Sequence, residues 1–433
     1  MATKIFIKDF KDHVGEEILI EGWMFNKRGS GKIYFLELRD GTDITQGIVV
    51  KSQVSEEIFA KAESLTMESS VKVTGVISKH PKLENTYELQ VTDIDIVQLV
   101  KEDYPIAKKE HGVDFLLENR HLWLRSPKQR AIQRVRNTII NAIYEYLNNN
   151  NFIKIDSPIL TPNACEGTTE LFEMEYFDEG KAYLSQSGQL YLEAAIFSVG
   201  RCFDFGPVFR AEKSKTRRHL TEFWMMDAEA AFVEHEENMK IQEGLVCFVI
   251  EKVLEKNLEE LKTLERDIEP LKKIKAPFYK KTHYDAVEEL RAMGSQISHE
   301  QDLGAEDETI LTQKYDKPIF IEKYPAEVKA FYMKRDPNDP TVALCADMLA
   351  PEGYGEVIGG SQREDDYDVL LGRIKEHKLP VEAFNWYLDL RKYGSVPHSG
   401  FGIGLERLTG WICGIHHIRE TIPFPRTINR IYP

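Results

Sequence analysis

Cysteine is scarce and scattered in this chain of 433 residues. Its thiols, Cys165, Cys202, Cys247, Cys345 and Cys413, form no C-x-x-C pair. That argues against a disulfide framework and a structural zinc site, and for a reducing compartment. Long apolar runs are also missing, and none approaches the roughly 20 residues of a membrane span. The start, Met1-Ala-Thr-Lys-Ile-Phe-Ile-Lys8, has no sustained apolar stretch of the kind a secretory leader needs. The expectation is a cytoplasmic protein with no membrane partner. No internal repeat and no low-complexity tail is present. Basic residues are outnumbered, with 56 Lys and Arg against 71 Asp and Glu, a net charge of −15. That balance weighs against a nucleic-acid binder, whose affinity for phosphates comes from Lys and Arg.

The charge is unevenly spread. From Arg120 to Arg136 the chain carries Arg120, Arg125, Lys128, Arg130, Arg134 and Arg136 and no acid, and from Arg210 to Arg218 only Glu212 interrupts a basic run. The acidity sits elsewhere, as in the stretch Glu251–Glu269, which reads as a solvated helix face. These local patches keep a polyanionic partner open. Hydrophobic content of 42% and charged content of 29% describe an ordinary globular chain, long enough for two or three domains.

Residues 1–98 alternate short β-branched or aromatic runs with turns: Ile18–Trp23, Ile33–Leu38, Gly47–Val50 and Val71–Val76, punctuated by Gly29-Ser-Gly31 and Asp40-Gly41. Ser55–Leu65 reads as one helix between strands. Five strands with one inserted helix predict an OB-fold barrel. Residues 99–125 read as a linker that docks onto the next domain. A domain over 126–433 opens with Ser126 as N-cap, Pro127 at the first helical position and Gln129 completing a capping box. Ile132, Val135, Ile139, Ile143 and Leu147 then recur at helical spacing, and Asn148–Asn151 ends the helix. Further helices are predicted near 251–265, 282–292 and 366–377. This ordering is α+β and not an alternating βαβ pattern.

Two segments nearly two hundred residues apart carry the chemistry. Gly206-Pro-Val-Phe-Arg-Ala-Glu212 leads into a basic loop with Arg217, Arg218 and His219, then Glu222 and Phe223. Arg210 and Glu212 stand two apart on a predicted strand and so share a face. Gly400-Phe-Gly-Ile-Gly-Leu-Glu-Arg407 is a Gly-rich strand-to-helix turn ending in an Arg. Neither segment is a P-loop or a dinucleotide fingerprint. Together they offer guanidinium groups for phosphates, an acceptor for an adenine amino group, an aromatic ring and closely approaching backbone.

These segments resemble motif 2 (206–229) and motif 3 (397–411) of class II aminoacyl-tRNA synthetases. The helix with Phe152-Ile-Lys-Ile-Asp-Ser-Pro158 resembles motif 1 (126–158). The resemblance spans nearly the whole chain and points to the aspartyl/asparaginyl subgroup, its asparaginyl branch above all. It implies an OB-fold anticodon-binding domain followed by an antiparallel-sheet catalytic domain flanked by helices. It also implies ATP-dependent activation of L-asparagine, transfer to the 3′ end of tRNA(Asn), a homodimer built on motif 1, and Mg²⁺ with the ATP.

By that resemblance Arg210 meets the α-phosphate and the substrate carboxylate, and Arg407 the γ-phosphate. Glu212 accepts from the adenine amino group and Phe223 stacks on the ring. Arg218 and His219 reach the β and γ phosphates, with Leu220, Gly404, Leu405 and Glu406 completing the nucleotide site. Glu356 binds the metal, with Asp347 beside it. Glu166, Gln186, Gln189, Leu192, Asp227, Arg363 and His398 frame the amino acid, Arg363 gripping its side-chain oxygen. In the barrel, Phe35 stacks on the central anticodon base, Gln46 bonds its edge and Arg28 supports the backbone. From the residues alone, Phe35 reads equally as barrel core.

Aspartyl relatives carry a Lys after Gln-Leu-Tyr, where this chain has Leu192, and a Ser three residues after the metal-binding Glu, where it has Gly359. Both differences favour asparagine. Asp227 points the other way, because asparaginyl relatives usually have Glu there. An aspartyl enzyme, with or without discrimination between the two amino acids, is the alternative. A tRNA-independent asparagine-making paralogue would lack the barrel, and a non-catalytic RNA-binding protein would not need Arg210, Glu212, Glu356 and Arg407.

Overall fold

The computed structural model describes residues 2–106, 109–162 and 170–433. The chain divides into two compact units, 1–111 and 112–433. The smaller unit is a closed OB barrel. Its strands are β1 (Thr3–Lys4), β2 (Glu17–Ser30), β3 (Ile33–Arg39), β4 (Ile44–Val50), β5 (Ser70–Lys79) and β6 (Tyr87–Gln98), with helix α1 (Glu56–Ser64) inserted after β4. The sheet order is β1-β2-β3-β4-β6-β5, and β2 closes the barrel by also pairing with β5. Alternation sends Ile18, Ile20, Leu36, Leu38, Val49, Val71, Val73 and Leu89 inward. Phe35 falls on the opposite face from Leu36 and is only half-buried, outside that core. The Ser55 side chain caps α1 by accepting from the Ile58 N–H at 3.2 Å.

The larger unit is built on a nine-stranded sheet. Its order runs Tyr279–Thr282, Ile319–Glu322, Cys345–Ala350, Gly355–Gln362, His398–Gly404, Glu222–Ala231, Arg201–Phe203 and Ile153–Lys154, with Gly206–Phe209 also paired to Glu222–Ala231. The central pairings are antiparallel and the outermost pair at each end is parallel. One face of the sheet, with Met226, Ala228, Ala230, Ile358, Phe401 and Ile403, packs on the helices Pro127–Asn149, His235–Lys256 and Leu405–Cys413. Ile132, Val135, Ile139, Ile143 and Leu147 are all fully buried there. Ser126 caps its helix, accepting from the Gln129 N–H at 3.3 Å.

Four sequence expectations are corrected. The capping box is half made: the Ser126 N–H goes to the Trp123 carbonyl at 2.9 Å, because a short helix at Arg120–Trp123 runs directly into the cap. Among the described residues the Gln129 amide is buried without a partner. The second half of the 99–125 linker is an integral part of the larger unit. Arg120 is 1% exposed and donates to the carbonyls of Pro423 and Ile422, both at 2.8 Å. Third, the basic run is largely paired, with Arg120 and Arg136 buried and Lys128 exposed. Arg136 pairs with Glu406 at 2.8 Å, Arg134 with Glu260 at 3.1 Å and Lys128 with Glu420 at 3.0 Å, so these charges tie elements together and offer no free patch. The helix expected at 251–265 begins earlier, at His235, ends at Lys256 and is followed by a separate turn of helix at Leu258–Thr263.

Candidate functional site

The face of the sheet opposite the helices carries the site, and glycines make its floor. Across the strands, Asp227 pairs with Gly402, Gly402 with Gly359, and Gly359 with Asp347. One row along, Glu229 pairs with Gly400 and Gly400 with Ser361. A Cβ at Gly402 would lie 2.6 Å from Asp227 Oδ1, and one at Gly400 2.0 Å from Glu229 Oε1. The two glycines let carboxylates from the neighbouring strand lean across their backbone. A cavity of about 640 Å³ stands on this floor.

The cavity brings together most of the residues singled out in the sequence: Arg210, Glu212, Arg218, His219, Leu220, Phe223, Glu356, Asp347, Gly404, Glu406 and Arg407, with Gln189, Asp227 and Arg363. At one end Arg407 donates to Glu356 at 2.8 Å. The Arg210 guanidinium lies 5.7 Å from the centre of the Phe223 ring and also donates to the Gln186 carbonyl. At the other end Arg363 grips the buried carboxylate of Glu229 through Nε, at 3.1 Å, and through a terminal nitrogen, while its remaining nitrogen donates to Ser361 Oγ at 2.6 Å. Asp227 accepts from the Ser187 hydroxyl at 2.8 Å and the Gly188 N–H at 2.9 Å.

Some expected residues are placed differently. Arg218 lines the cavity, but its guanidinium is engaged by Glu308 at 2.8 Å, Thr309 at 2.6 Å and the Gly353 carbonyl at 2.7 Å. The Glu406 carboxylate holds Arg136 and the Trp224 N–H (3.1 Å), tying the first helix to the second motif. Leu405 is a core residue. Leu192 is fully buried in an apolar cluster with Ile196 and Cys202 and does not line the cavity, because the helix Gln189–Val199 turns it toward the sheet edge. His398 is likewise off the wall, fully buried against Glu193 at 3.0 Å. Gln186 meets the site through its carbonyl. Glu166 lies outside the described residues.

Sequence reasoning missed Glu229, Glu308 and Lys329. Glu229 was within reach, since it stands two residues after Asp227 on one strand and must share its face. Lys329 pairs with Asp347 at 2.9 Å and Asp302 at 3.2 Å, and nothing in its local sequence marks it. Glu308 accepts from Arg218 and from the Glu356 N–H at 2.9 Å.

The carboxylates crowd one another. Burial pushes Glu308 up to about 7, with the Glu356 charge adding. Burial pushes Asp347 up to about 6, with Lys329 opposing and Glu356 adding. Burial and the neighbouring Asp227 charge push Asp204 up to about 7. His219 is lowered by burial and by Arg407, which favours its neutral form. The wall therefore sets strong cations among carboxylates whose charge burial disfavours.

A second cluster sits on the barrel surface. Arg28 stands 5.3 Å from the Phe35 ring centre and donates to Gln46 Oε1 at 2.6 Å, and Gln46 donates in turn to Glu88 at 2.6 Å. An aromatic face flanked by a cation and an oriented amide is the equipment of a single-strand base platform.

Comparison with known proteins agrees with these geometries. Residues 112–428 match the model of the class II tRNA synthetases (D, K and N), and residues 18–97 that of the OB-fold nucleic acid binding domain. The asparagine–tRNA ligase of Desulforamulus reducens is 55% identical over 427 residues, 99% of each chain. That of Pelotomaculum thermopropionicum is 53% identical over 430 residues, 99% of this chain and all of the other. Among solved structures, asparaginyl-tRNA synthetase from Pyrococcus horikoshii complexed with asparaginyl-adenylate is similar over the whole of both chains, with a TM-score of 0.96 at 44% identity. A putative aspartyl-tRNA synthetase from Leishmania major has a TM-score of 0.86 at 26% identity, over all of this chain and 95% of the other. With a family match over most of its length and relatives this similar, the chain belongs to the class II aminoacyl-tRNA synthetases, in the group of the aspartate, lysine and asparagine enzymes.

Proposed function

We propose that the chain is an asparagine–tRNA ligase: it activates L-asparagine with ATP to asparaginyl-adenylate and diphosphate, then transfers the asparaginyl group to the 3′ end of tRNA(Asn), releasing AMP. The observation that carries this is the convergence of Arg210 and Arg407 on one cavity whose far end holds Arg363 beside Asp227 and Glu229. In the first step the asparagine carboxylate attacks the α-phosphorus and the bond to the diphosphate breaks. No base is required, because the nucleophile is already ionised. Arg210 is placed to hold both reacting groups and to stabilise charge developing on the phosphoryl oxygens. Phe223 and Glu212 take the adenine, and Arg407 the distal phosphates. In the second step a terminal ribose hydroxyl attacks the carbonyl carbon of the adenylate and AMP leaves.

At the Arg363 end a carboxamide fits better than a carboxylate. Its oxygen accepts from Arg363 and its NH₂ donates toward Asp227, whereas a second carboxylate would face Asp227 and Glu229 across a guanidinium that Glu229 already neutralises.

The residues also fit a divalent cation. Glu356 Oε1 and Asp347 Oδ1 flank Gly359, lying 3.3 and 3.5 Å from where its Cβ would be. Among the described residues no three His, Cys, Asp or Glu side chains form a ligand cluster. A pair of carboxylates completed by phosphate oxygens and water is the habit of Mg²⁺. Glu356 and Asp347 would hold it, and it would neutralise phosphate charge.

Arg28, Phe35 and Gln46 form the anticodon platform in the barrel domain. We read its location as the cytoplasm, where ATP, asparagine and tRNA meet. Separately, among the described residues no helix is long and apolar enough to cross a membrane. ATP–pyrophosphate exchange, run with asparagine and aspartate side by side, tests the reading. Exchange with asparagine and little with aspartate is expected, and equal exchange with both would overturn the amino-acid assignment.

A further inference from the structure

Glu193 lies behind the Arg363 end of the cavity, on the helix Gln189–Val199, and is fully buried. Both of its carboxylate oxygens are taken. The Tyr387 hydroxyl donates to them at 2.9 and 2.7 Å, and Arg391 donates to Oε2 at 2.7 Å with His398 Nε2 at 3.0 Å from the same oxygen. Burial alone would push this carboxyl up, but Arg391 and His398 outweigh it and hold it below the usual carboxylate range. An ionised carboxylate only accepts hydrogen bonds.

One more donor reaches Glu193, and it comes from the cavity wall. Gln189 stands four residues earlier on the same helix face, and its Nε2 donates to Glu193 Oε1 at 3.1 Å. The Gln189 amide can present either its oxygen or its NH₂ to the cavity. Glu193 decides between them, because the NH₂ must face the carboxylate. Among the described residues no hydrogen bond reaches Gln189 Oε1, and Gln189 lines the cavity beside Ser187 and Asp227.

We propose that Glu193 is a positioning residue that sets the polarity of the amino-acid pocket, by fixing the Gln189 amide so that its carbonyl oxygen accepts an N–H of the substrate. This rests on the asparagine-activating function proposed above. It adds that the selection for nitrogen donors is imposed from behind the wall, through a residue that touches no substrate. The donor met by Gln189 is the α-ammonium or the carboxamide of asparagine. Both share the chemistry of an N–H group offered to a fixed acceptor.

The test is pyrophosphate exchange with the full-length chain. In Glu193→Gln the partner amide can turn, which frees Gln189 to present either end. The KM for asparagine is expected to rise about tenfold, the worth of one hydrogen bond to a charged or buried group, with kcat nearly unchanged, since binding is lost equally from ground and transition states. Gln189→Met, similar in length but unable to accept, is expected to give the same KM rise without touching the buried charges. The double variant should be no worse than Gln189→Met alone, because both changes remove one interaction.

A parallel rise in KM for asparagine and aspartate would identify the ammonium as the donor. A rise for asparagine alone would identify the carboxamide. Either result supports the proposal. An unchanged KM in Gln189→Met overturns it even if Glu193→Gln fails to fold. Additive KM effects in the double variant also overturn it, because Glu193 would then act on the pocket independently of Gln189. If the unaltered chain shows no exchange with asparagine, the activity reading itself fails. If it exchanges and the variants bind normally, only the role of Glu193 fails.

Discussion

Asp227 leans over the backbone of Gly402, its strand partner, so closely that a Cβ on that glycine would come within 2.6 Å of Oδ1. Beside it, Gly400 makes room for Glu229, which holds Arg363. The glycines of the third motif are therefore needed as space for carboxylates of the second. Gly402→Ala is expected to displace Asp227 and raise the KM for asparagine at least about tenfold, at the cost of roughly one buried hydrogen bond. Substrate titration in pyrophosphate exchange checks it, and normal asparagine binding would show that the strand yields instead.

The two cavity arginines should be indispensable for chemistry and dispensable for folding. Arg210→Ala and Arg407→Ala are each expected to slow activation by roughly 10²-fold or more, the usual cost of removing a donor aimed at transition-state charge. Circular dichroism should show an intact fold. A well-folded variant with near-normal exchange would sink the assignment.

Much of this arrangement was legible in the chain. The helical spacing of Ile132 through Leu147 gave the core face, and the alternation around Leu36 left Phe35 outside the barrel core, where spacing alone could not decide. The motifs named Arg210 and Arg407, and the family resemblance named Arg363. What escaped is of one kind: buried partners brought in from distant elements. Lys329 and Glu308 reach the site from segments with no local signal, and Glu193 is defined only by Tyr387, Arg391 and His398 converging on it. Leu192 shows the converse. Its place in a sequence motif suggested a wall residue, but the helix turns it into an apolar cluster, so a charge there would be buried before it could serve the pocket.

Asp204 should make the protein less stable as pH rises. Its folded-state pKa is raised from 3.8 to about 7 by burial and the Asp227 charge. Between those values the folded state keeps a proton that the unfolded chain has released, so stability falls as pH climbs from about 4 through about 7. Asp204→Asn removes that titration. Melting curves between pH 5 and 8 should show a decline for the parent that is flatter in the variant, and identical slopes would place the pH dependence elsewhere.

Assembly is expected to be two-fold, through self-complementary surfaces. The apolar face of the Pro127–Asn149 helix is spent on its own core, whereas Ile153, Ile159 and Leu160 just beyond it are 49%, 43% and 42% exposed. That stretch is the candidate contact. Light scattering should give about twice the 50.0 kDa chain mass. A fully active monomer would defeat the expectation.

Phe35 belongs to a unit separate from the activation cavity, and its ring is flanked by Arg28 and by the Gln46 amide that Arg28 and Glu88 hold in place. Stacking one base on such a ring is worth roughly 1–3 kcal/mol. Phe35→Ala should therefore raise the KM for tRNA(Asn) in aminoacylation by about tenfold, since every 1.4 kcal/mol is a factor of ten, while pyrophosphate exchange stays unchanged. The ring is outside the barrel core, so thermal stability should hardly move. Equal losses in both assays, or a large drop in Tm, would mean that Phe35 supports the fold and does not read the anticodon.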